Sequence, residues 1–283
     1  MDISDFAARR RTLAAAAGEI AYTESGTGPA AVFVHGLATS GALWRNVIEQ
    51  VDGTTRCIAV DLPLHGGSAP REDPSVTAMA RLVVELCQGL GLDRIDLVGN
   101  DTGGAVAQIV AASHPELLRS LVLTNCDTEG NFPPAAFMPV IEAAARGEIA
   151  PLLTVAAADP DAARMSPLGE GYEHPEKVPD EVWREYLTPV GAIIERARLF
   201  KRMLTALDPA ELEAAAGRLR HLDVPVLLVW GTGEEAFGLE WAYRLRDLIP
   251  GAREVVEVDG GKLFFPEERP EELAVQLRRH WGR

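Results

Sequence analysis

The chain has 283 residues, of which 47% are hydrophobic and 24% are charged, and its formal net charge at pH 7 is −15. This length and composition are those of a globular enzyme with a sizeable buried core, and they exclude a disordered or low-complexity chain. The strong negative charge disfavours nucleic-acid binding and an anionic membrane surface, because both require clustered Lys and Arg.

Three cysteines, Cys57, Cys87 and Cys126, lie far apart inside apolar segments. Their odd number indicates free thiols in a reducing compartment rather than disulfides. Residues 1–8 include two aspartates and lack the apolar run of a signal peptide or anchor, and no later stretch has the roughly 20 apolar residues that span a bilayer. We therefore expect a cytoplasmic protein with no membrane partner, either a monomer or a homodimer.

The first part of the chain alternates short strand-like and helix-like segments, which is typical of a parallel sheet covered on both faces. Short apolar segments predict strands at residues 30–35, 57–61, 95–99 and 121–124, and a weak alternation predicts an outer strand at residues 19–24. Helices are predicted between them at residues 41–50, 76–90 and 104–113.

The alternation stops at about residue 127. From there to about residue 207 the sequence has Pro-rich breaks and helical patches but no strand pattern. Strands are predicted again at residues 224–230 and 254–258, with helices at residues 239–248 and 267–281. The predicted organisation is an α/β core of residues 1–126 and 208–283 with an inserted helical cap of residues 127–207. Ligands of open α/β sheets bind beyond the carboxyl ends of the strands, so residues that follow strands are the candidates for a site.

A Gly-rich turn follows the strand predicted at residues 95–99, and it reads GNDTG at residues 99–103. The pattern Gly-x-nucleophile-x-Gly between a strand and a helix is a strained turn, and its small flanking residues let the central side chain project above the sheet. Asp101 occupies the central position, so we predict that it is catalytic. The alternative is that Asp101 only caps the following helix.

Two further loops have recognisable patterns, HGLATS at residues 35–40 and DLPLHGGS at residues 61–68. Together with the turn at residues 99–103, they resemble the α/β-hydrolase superfamily over nearly the whole chain. The resemblance implies an α/β-hydrolase fold: a mostly parallel central sheet flanked by helices, with an inserted helical cap. It also implies an oxyanion hole formed by the backbone N–H groups of Leu37 and Thr102. His35 is expected at the edge of the substrate pocket, in a mainly structural role.

With an aspartate at the nucleophile position, the chain resembles the epoxide hydrolase and haloalkane dehalogenase branch of the superfamily. In this branch a carboxylate attacks carbon to give an alkyl ester, and a His-activated water hydrolyses the ester. Dehalogenases of this type usually have Trp directly after the nucleophile to hold the leaving halide, whereas this chain has Thr102. The sequence therefore favours epoxide-hydrolase-like chemistry over dehalogenation.

The partners of Asp101 depart from the superfamily pattern. The acid follows one of two later strands, where Glu234, Glu235 or Asp127 could supply it, and we assign the role to Glu235 or Asp127. The alternative for each carboxylate is a solvated loop charge or a helix cap.

The catalytic histidine of the superfamily lies between the last strand and the last helix. Alignment of the FPE run at residues 265–267 with the family pattern puts Leu263 at this position, so the expected general base is missing. Lys262 is adjacent and would become an acid or a base if burial lowered its pKa. Its alternative is a loop Lys paired with surface acids.

Several residues are candidates for the substrate pocket. They are Asn125, directly before the predicted cap, and His174 and Trp183 within it, although each has an alternative as a turn or packing residue. The sequence contains no residues spaced as metal ligands, no P-loop and no dinucleotide-binding fingerprint. We therefore predict no metal and no cofactor.

The sequence predicts a hydrolase of the epoxide-hydrolase-like type that uses Asp101 on a small or medium apolar organic substrate. Two alternatives stay open. One is a lyase, isomerase or cyclase of specialised metabolism in which Asp101 transfers a proton, and the other is a catalytically inactive binding protein. The missing histidine favours these alternatives, since the ester would accumulate if no base activated the water that hydrolyses it.

Overall fold

The computed structural model describes residues 1–283, and an eight-stranded sheet lies at its centre. The strands are β1 (Arg10–Ala15), β2 (Gly18–Ser25), β3 (Ala30–Val34), β4 (Arg56–Val60), β5 (Ile95–Asp101), β6 (Leu118–Cys126), β7 (Val226–Gly231) and β8 (Ala252–Val258). Their order across the sheet is β1-β2-β4-β3-β5-β6-β7-β8. The pairs β1·β2 and β2·β4 are antiparallel and all other pairs are parallel, which confirms the predicted mostly parallel sheet.

Helices flank this sheet. They are α1 (Ile3–Ala8), α2 (Arg45–Val51), α3 (Val76–Gly89), α4 (Thr102–Ser113), α5 (Met138–Arg146), α6 (Ile149–Ala158), α7 (Pro160–Arg164), α8 (Pro167–Glu170), α9 (Asp180–Gly191), α10 (Ile194–Leu204), α11 (Pro209–Leu219), α12 (Leu239–Leu248), α13 (Phe265–Glu268) and α14 (Pro270–Trp281). Helix α2 packs against α14, whereas α3 and α11 both pack against α4. None of these helices has the length and apolar character that crossing a bilayer requires.

The central strands are continuous apolar runs because both of their faces are covered. All five residues of β3 (AAVFV) are buried, and β7 (VLLVWG) is buried along its whole length. By contrast, the edge strand β1 (RRTLAA) has no fully buried residue. Neither an apolar run nor a clear alternation marks it, and the sequence did not predict it.

The end of the chain also differs from the prediction. The helix predicted at residues 267–281 is divided into α13 and α14, because Pro270 has no N–H group to continue the hydrogen bonds of the preceding turn.

No strand lies between β6 and β7, and the segment is mainly helical. Helices α5 to α10 fall within the segment predicted as a cap, and α6, α9 and α10 pack against one another. A buried polar cluster joins this segment to the core. The hydroxyls of Tyr172 and Tyr186 donate to Oε2 of Glu267 at 2.6 and 2.8 Å, and Arg45 pairs with Oε1 of the same carboxylate. The boundaries between core and cap stay a prediction.

Candidate active site

Asp101 lies at the turn between β5 and α4. Its φ of 55° and ψ of −135° place it in the left-handed region, which costs free energy for a residue other than Gly. The flanking glycines are required by close backbone contacts. A Cβ on Gly99 would lie 2.5 Å from the carbonyl oxygen of Gly103, and a Cβ on Gly103 would lie 2.3 Å from that of Val34.

The loop after β3 holds the Asp101 carboxylate in place. The N–H of Leu37 donates to Oδ2 at 3.1 Å, and the N–H of Thr102 also stabilises the carboxylate. Gly36 passes so close that a Cβ there would lie 1.9 Å from Oδ2. Both residues predicted for the oxyanion hole therefore contact the predicted nucleophile, and both line the same cavity.

This cavity has a volume of about 740 Å³ and lies between the strand ends and the helices of residues 127–207. Its wall is mostly apolar, and side chains such as Phe137, Leu153, Phe200 and Leu204 come from those helices. Its core end carries the polar groups Asp101, Thr102, Asp127 and Glu234. No His, Tyr, Lys or Arg lines the cavity, so its carboxyl groups have no cationic neighbour in the wall.

The carboxyl groups of Asp101, Asp127 and Glu234 form no salt bridge and are not grouped as metal ligands are. Burial raises the pKa of Asp101 to about 7, although two backbone N–H groups favour its ionised form. Burial and the charge of Asp101 raise the pKa of Asp127 well above its ordinary value. Neighbouring carboxylates in a water-poor cavity resist joint ionisation, so we expect Asp101 and Asp127 to share a proton near neutral pH.

Glu234 occupies the position of the acid after β7. Its Oε1 accepts a hydrogen bond from the N–H of Ala236 at 2.9 Å, and its Oε2 accepts one from the N–H of Leu263 at 3.0 Å. Leu263 lines the cavity, and its carbonyl accepts a bond from the Asn100 side chain at 2.9 Å. The prediction for Glu235 is wrong: its side chain is exposed outside the cavity, because the turn after β7 directs Glu234 inward.

His35 and Asn125 lie outside the cavity, contrary to the prediction. The His35 ring is fully buried, and its Nε2 accepts a bond from the N–H of Leu62 at 2.9 Å, so it braces two core loops. Burial lowers the pKa of His35 to about 3, and the ring stays neutral. The Asn125 amide accepts from the N–H of Gly231 at 2.7 Å and donates to its carbonyl at 3.1 Å, which joins β6 to β7.

Three other candidates are also outside the cavity. Trp183 is 1% exposed and packs edge-on against Tyr172, so it belongs to the core of the helical segment. The His174 side chain is 53% exposed and faces solvent. Lys262 donates from Nζ to the backbone carbonyl of Glu170 at 3.0 Å, so it ties the end of α8 to the core instead of entering the site.

Comparison with known proteins gives consistent results. The model of the alpha/beta hydrolase family matches residues 31–276. The chain is 27% identical to haloalkane dehalogenase 2 of Mycobacterium tuberculosis, over 94% of this chain and 92% of that protein. It is also 27% identical to the 2-hydroxy-6-oxononadienedioate/2-hydroxy-6-oxononatrienedioate hydrolase of Burkholderia vietnamiensis, over 82% of this chain and 80% of that protein. The crystal structure of an alpha/beta hydrolase fold protein from Burkholderia ambifaria superposes with a TM-score of 0.82 at 22% identity, covering 94% of this chain and 96% of the other.

We expect the Asp101→Asn protein to be more stable than the wild type at about pH 8, and the difference to shrink towards about pH 5.5. The folded-state pKa of Asp101 is raised from 3.8 to about 7. As the pH rises between these two values, Asp101 is deprotonated in the unfolded protein but still protonated in the folded protein. The free energy of unfolding of the wild type therefore falls over this pH range. Thermal unfolding should show a gain of several degrees at the higher pH. The exposed Asp259→Asn change is the control, and a gain independent of pH would contradict the raised pKa.

Proposed function

Because this chain belongs to the alpha/beta hydrolase family, we propose that it is a hydrolase of the epoxide-hydrolase-like type for a small or medium apolar substrate. The observation that carries this proposal is the setting of Asp101. Its carboxylate stands at a strained turn, is held through Oδ2 by the N–H of Leu37, and faces an apolar cavity of about 740 Å³. Strained residues of this kind cluster at active sites, where the surrounding structure holds them in place.

The hydrogen bond from the N–H of Leu37 to Oδ2 of Asp101 is consistent with a two-step reaction. The other carboxylate oxygen, Oδ1, attacks a carbon of the substrate and gives an alkyl ester on Asp101. When water then adds to the ester carbon, negative charge develops on Oδ2. The N–H groups of Leu37 and Thr102 are directed at this carboxyl group, so they orient the nucleophile in the first step and stabilise the oxyanion in the second.

The relatives support attack on carbon as the class of reaction. One of them is named a haloalkane dehalogenase and is similar along nearly its whole length. In this chain the halide-holding Trp of such enzymes is replaced by Thr102, which favours an epoxide, since its leaving oxygen stays attached to the product. The apolar wall of the cavity supports a substrate with a hydrocarbon body.

A second candidate is proton-transfer chemistry, as in a lyase, isomerase or cyclase. It is favoured by the absence of a histidine from the cavity wall and by a pKa of about 7 for Asp101, which is suited to giving and taking a proton at neutral pH. Such a reaction needs no water activation.

The proposed function is tested by incubating the wild type with terminal epoxides and primary haloalkanes of increasing chain length. Diol and halide release are measured together with the intact mass of the protein. We expect diol formation and a transient or stable ester that maps to Asp101. A folded protein that gives neither an ester nor a product with any probe would contradict the hydrolase proposal and favour proton transfer or a binding role.

The pH dependence of ester formation should follow the ionisation of Asp101. Only the carboxylate attacks, and its pKa is raised to about 7. With a primary alkyl bromide, whose leaving bromide needs no proton, we expect the rate of ester formation to fall about tenfold per pH unit well below pH 7 and to level off above it. Mass spectrometry of quenched samples measures this rate. A rate that stays constant between about pH 5 and pH 7 would contradict the raised pKa.

A further inference from the structure

Opening an epoxide requires a proton donor near the breaking bond. The ring oxygen leaves as a strongly basic alkoxide, and general acid catalysis of such a step contributes about 100-fold or more. The cavity wall contains no His, Tyr or Lys that could give this proton. The hydroxyls of Tyr172 and Tyr186 are committed to Glu267, outside the cavity. Besides Asp101, the acids that line the wall are Asp127, Glu234 and Glu170.

Two of these three acids are poorly suited to carry the proton. Burial raises the pKa of Glu234, but Glu234 accepts backbone N–H bonds on both oxygens, at 2.9 and 3.0 Å, and such bonds oppose this shift by favouring the carboxylate, whereas Asp127 has no such bonds. Glu170 is exposed at the end of α8, on the cap side of the cavity. Glu234 is close enough for its charge to act on Asp101, but both of its oxygens are already engaged by backbone N–H groups.

Asp127 has the opposite surroundings. Asp101 pairs with Cys126 in the β5·β6 ladder, so Asp127 follows at the strand end directly beside the nucleophile. It is 2% exposed, and its backbone is fixed by the Gln108 side chain, which donates to its carbonyl at 2.7 Å. Its carboxyl group receives no backbone N–H bond and no salt bridge, and the neighbouring Thr102 side chain only partly offsets the raised pKa.

We propose that Asp127 is the general acid and then the general base of epoxide hydrolysis in this protein, in the place of the missing histidine. The inference rests on the proposed function of Asp101 as a nucleophile. It assigns to one buried carboxyl group the two proton transfers that the reaction requires.

The first step is balanced by a proton from Asp127. Oδ1 of Asp101 forms a bond to one epoxide carbon, the bond between this carbon and the ring oxygen breaks, and the oxygen takes the proton of Asp127. The products are a hydroxyalkyl ester on Asp101 and an ionised Asp127. The loss of the negative charge of Asp101 is what allows Asp127 to ionise, because like charges in a buried site disfavour each other.

The second step returns the proton. The Asp127 carboxylate takes a proton from water as the water oxygen bonds to Cγ of Asp101, and the oxyanion forms on Oδ2, near the N–H of Leu37. The bond between Cγ and the alkyl oxygen then breaks, and this oxygen takes the proton from Asp127. A vicinal diol leaves, and the new Asp101 carboxyl group, which holds the second proton of the water, passes that proton to the Asp127 carboxylate, so that Asp101 is ionised and Asp127 protonated, as at the start.

The test compares Asp127→Asn with the wild type on 1,2-epoxyhexane and 1-bromohexane. With the epoxide, we expect ester formation on Asp101 to slow by about 100-fold or more, because the acid is lost. With the bromide, which needs no acid, we expect the ester to form at least as fast as in the wild type but to break down about 100-fold more slowly. Glu235→Gln, at an exposed side chain outside the cavity, is the matched control and should leave both rates unchanged.

Asp127→Glu distinguishes loss of the carboxyl group from a purely structural effect. It restores a carboxyl group in a longer side chain and should recover part of the rate of ester breakdown. The melting temperature of the Asn variant should not fall, because a buried carboxyl group beside another acid is replaced by a neutral amide. Ester breakdown at the wild-type rate in Asp127→Asn would overturn the role of Asp127 and leave Asp101 as the nucleophile. If no variant and no probe gives an ester or a diol, the proposed function itself fails, and this inference fails with it.

Discussion

Replacing Asp101 by Asn should lower the turnover of every epoxide that the wild type hydrolyses by at least about 1,000-fold. The amide cannot attack carbon as a carboxylate does. No other carboxylate can substitute, because only Asp101 combines the strained turn with N–H donors on its carboxylate. Asn is close to Asp in shape and tolerates a positive φ, so the turn should be preserved. Steady-state diol formation and intact mass after incubation with an alkyl bromide measure the loss.

Asp101→Ala serves as a second variant that cannot revert to a carboxylate by deamidation. Both proteins should unfold cooperatively, which separates loss of chemistry from loss of fold. Retention of more than about a tenth of the wild-type turnover in the folded Ala variant would show that Asp101 is not the nucleophile.

Installing a histidine at position 263 should restore a base that the sequence lacks. The backbone N–H of Leu263 lies 3.0 Å from Oε2 of Glu234, and its side chain lines the cavity, so an imidazole there would stand beside an acid already in place. In the Asp127→Asn background, we expect Leu263→His to accelerate breakdown of the Asp101 ester by about 100-fold or more, through general base catalysis. Decay of the ester mass after removal of the alkyl bromide measures this rate.

The matched control is Leu263→Asn, which adds polarity at the same place without a group that titrates near neutral pH. It should leave the ester long-lived. Adding Glu234→Gln to the histidine variant should reduce the gain, because the acid that orients the imidazole is lost. Equal rates for the His and Asn variants would contradict the placement of Glu234 as a ready acid partner.

Sequence patterns were sufficient for the core of the fold because burial on both faces leaves a direct signature. The apolar runs of β3 and β7 follow from their position at the centre of the sheet. The turn at Asp101 was also predictable, since close backbone contacts leave room only for glycine at Gly99 and Gly103. The edge strand β1 carries neither signature, because its residues are held by pairing with β2 and are not buried.

The lining of the cavity could not be predicted, because apolar helices look alike whether they face a cavity or a packed core. Trp183 is 1% exposed within the helical layer, whereas Leu152 is 61% exposed and lines the cavity. Periodicity identifies the apolar face of a helix but not what lies opposite it. The choice between Glu234 and Glu235 depends on the path of one turn, and two adjacent carboxylates give no sequence signal for which of them points inward.

The central claim, that Asp101 forms an ester which water then hydrolyses, is tested most directly by a single turnover in ¹⁸O-labelled water. The protein is used in excess over an epoxide that it hydrolyses, and the peptide that carries Asp101 is then analysed by mass spectrometry. If the ester forms, water attacks Cγ, so the labelled oxygen should appear in the Asp101 carboxylate and the first diol should be unlabelled. Label in the diol and none in Asp101 would show that water attacks the substrate directly, and the nucleophilic role of Asp101 would be wrong.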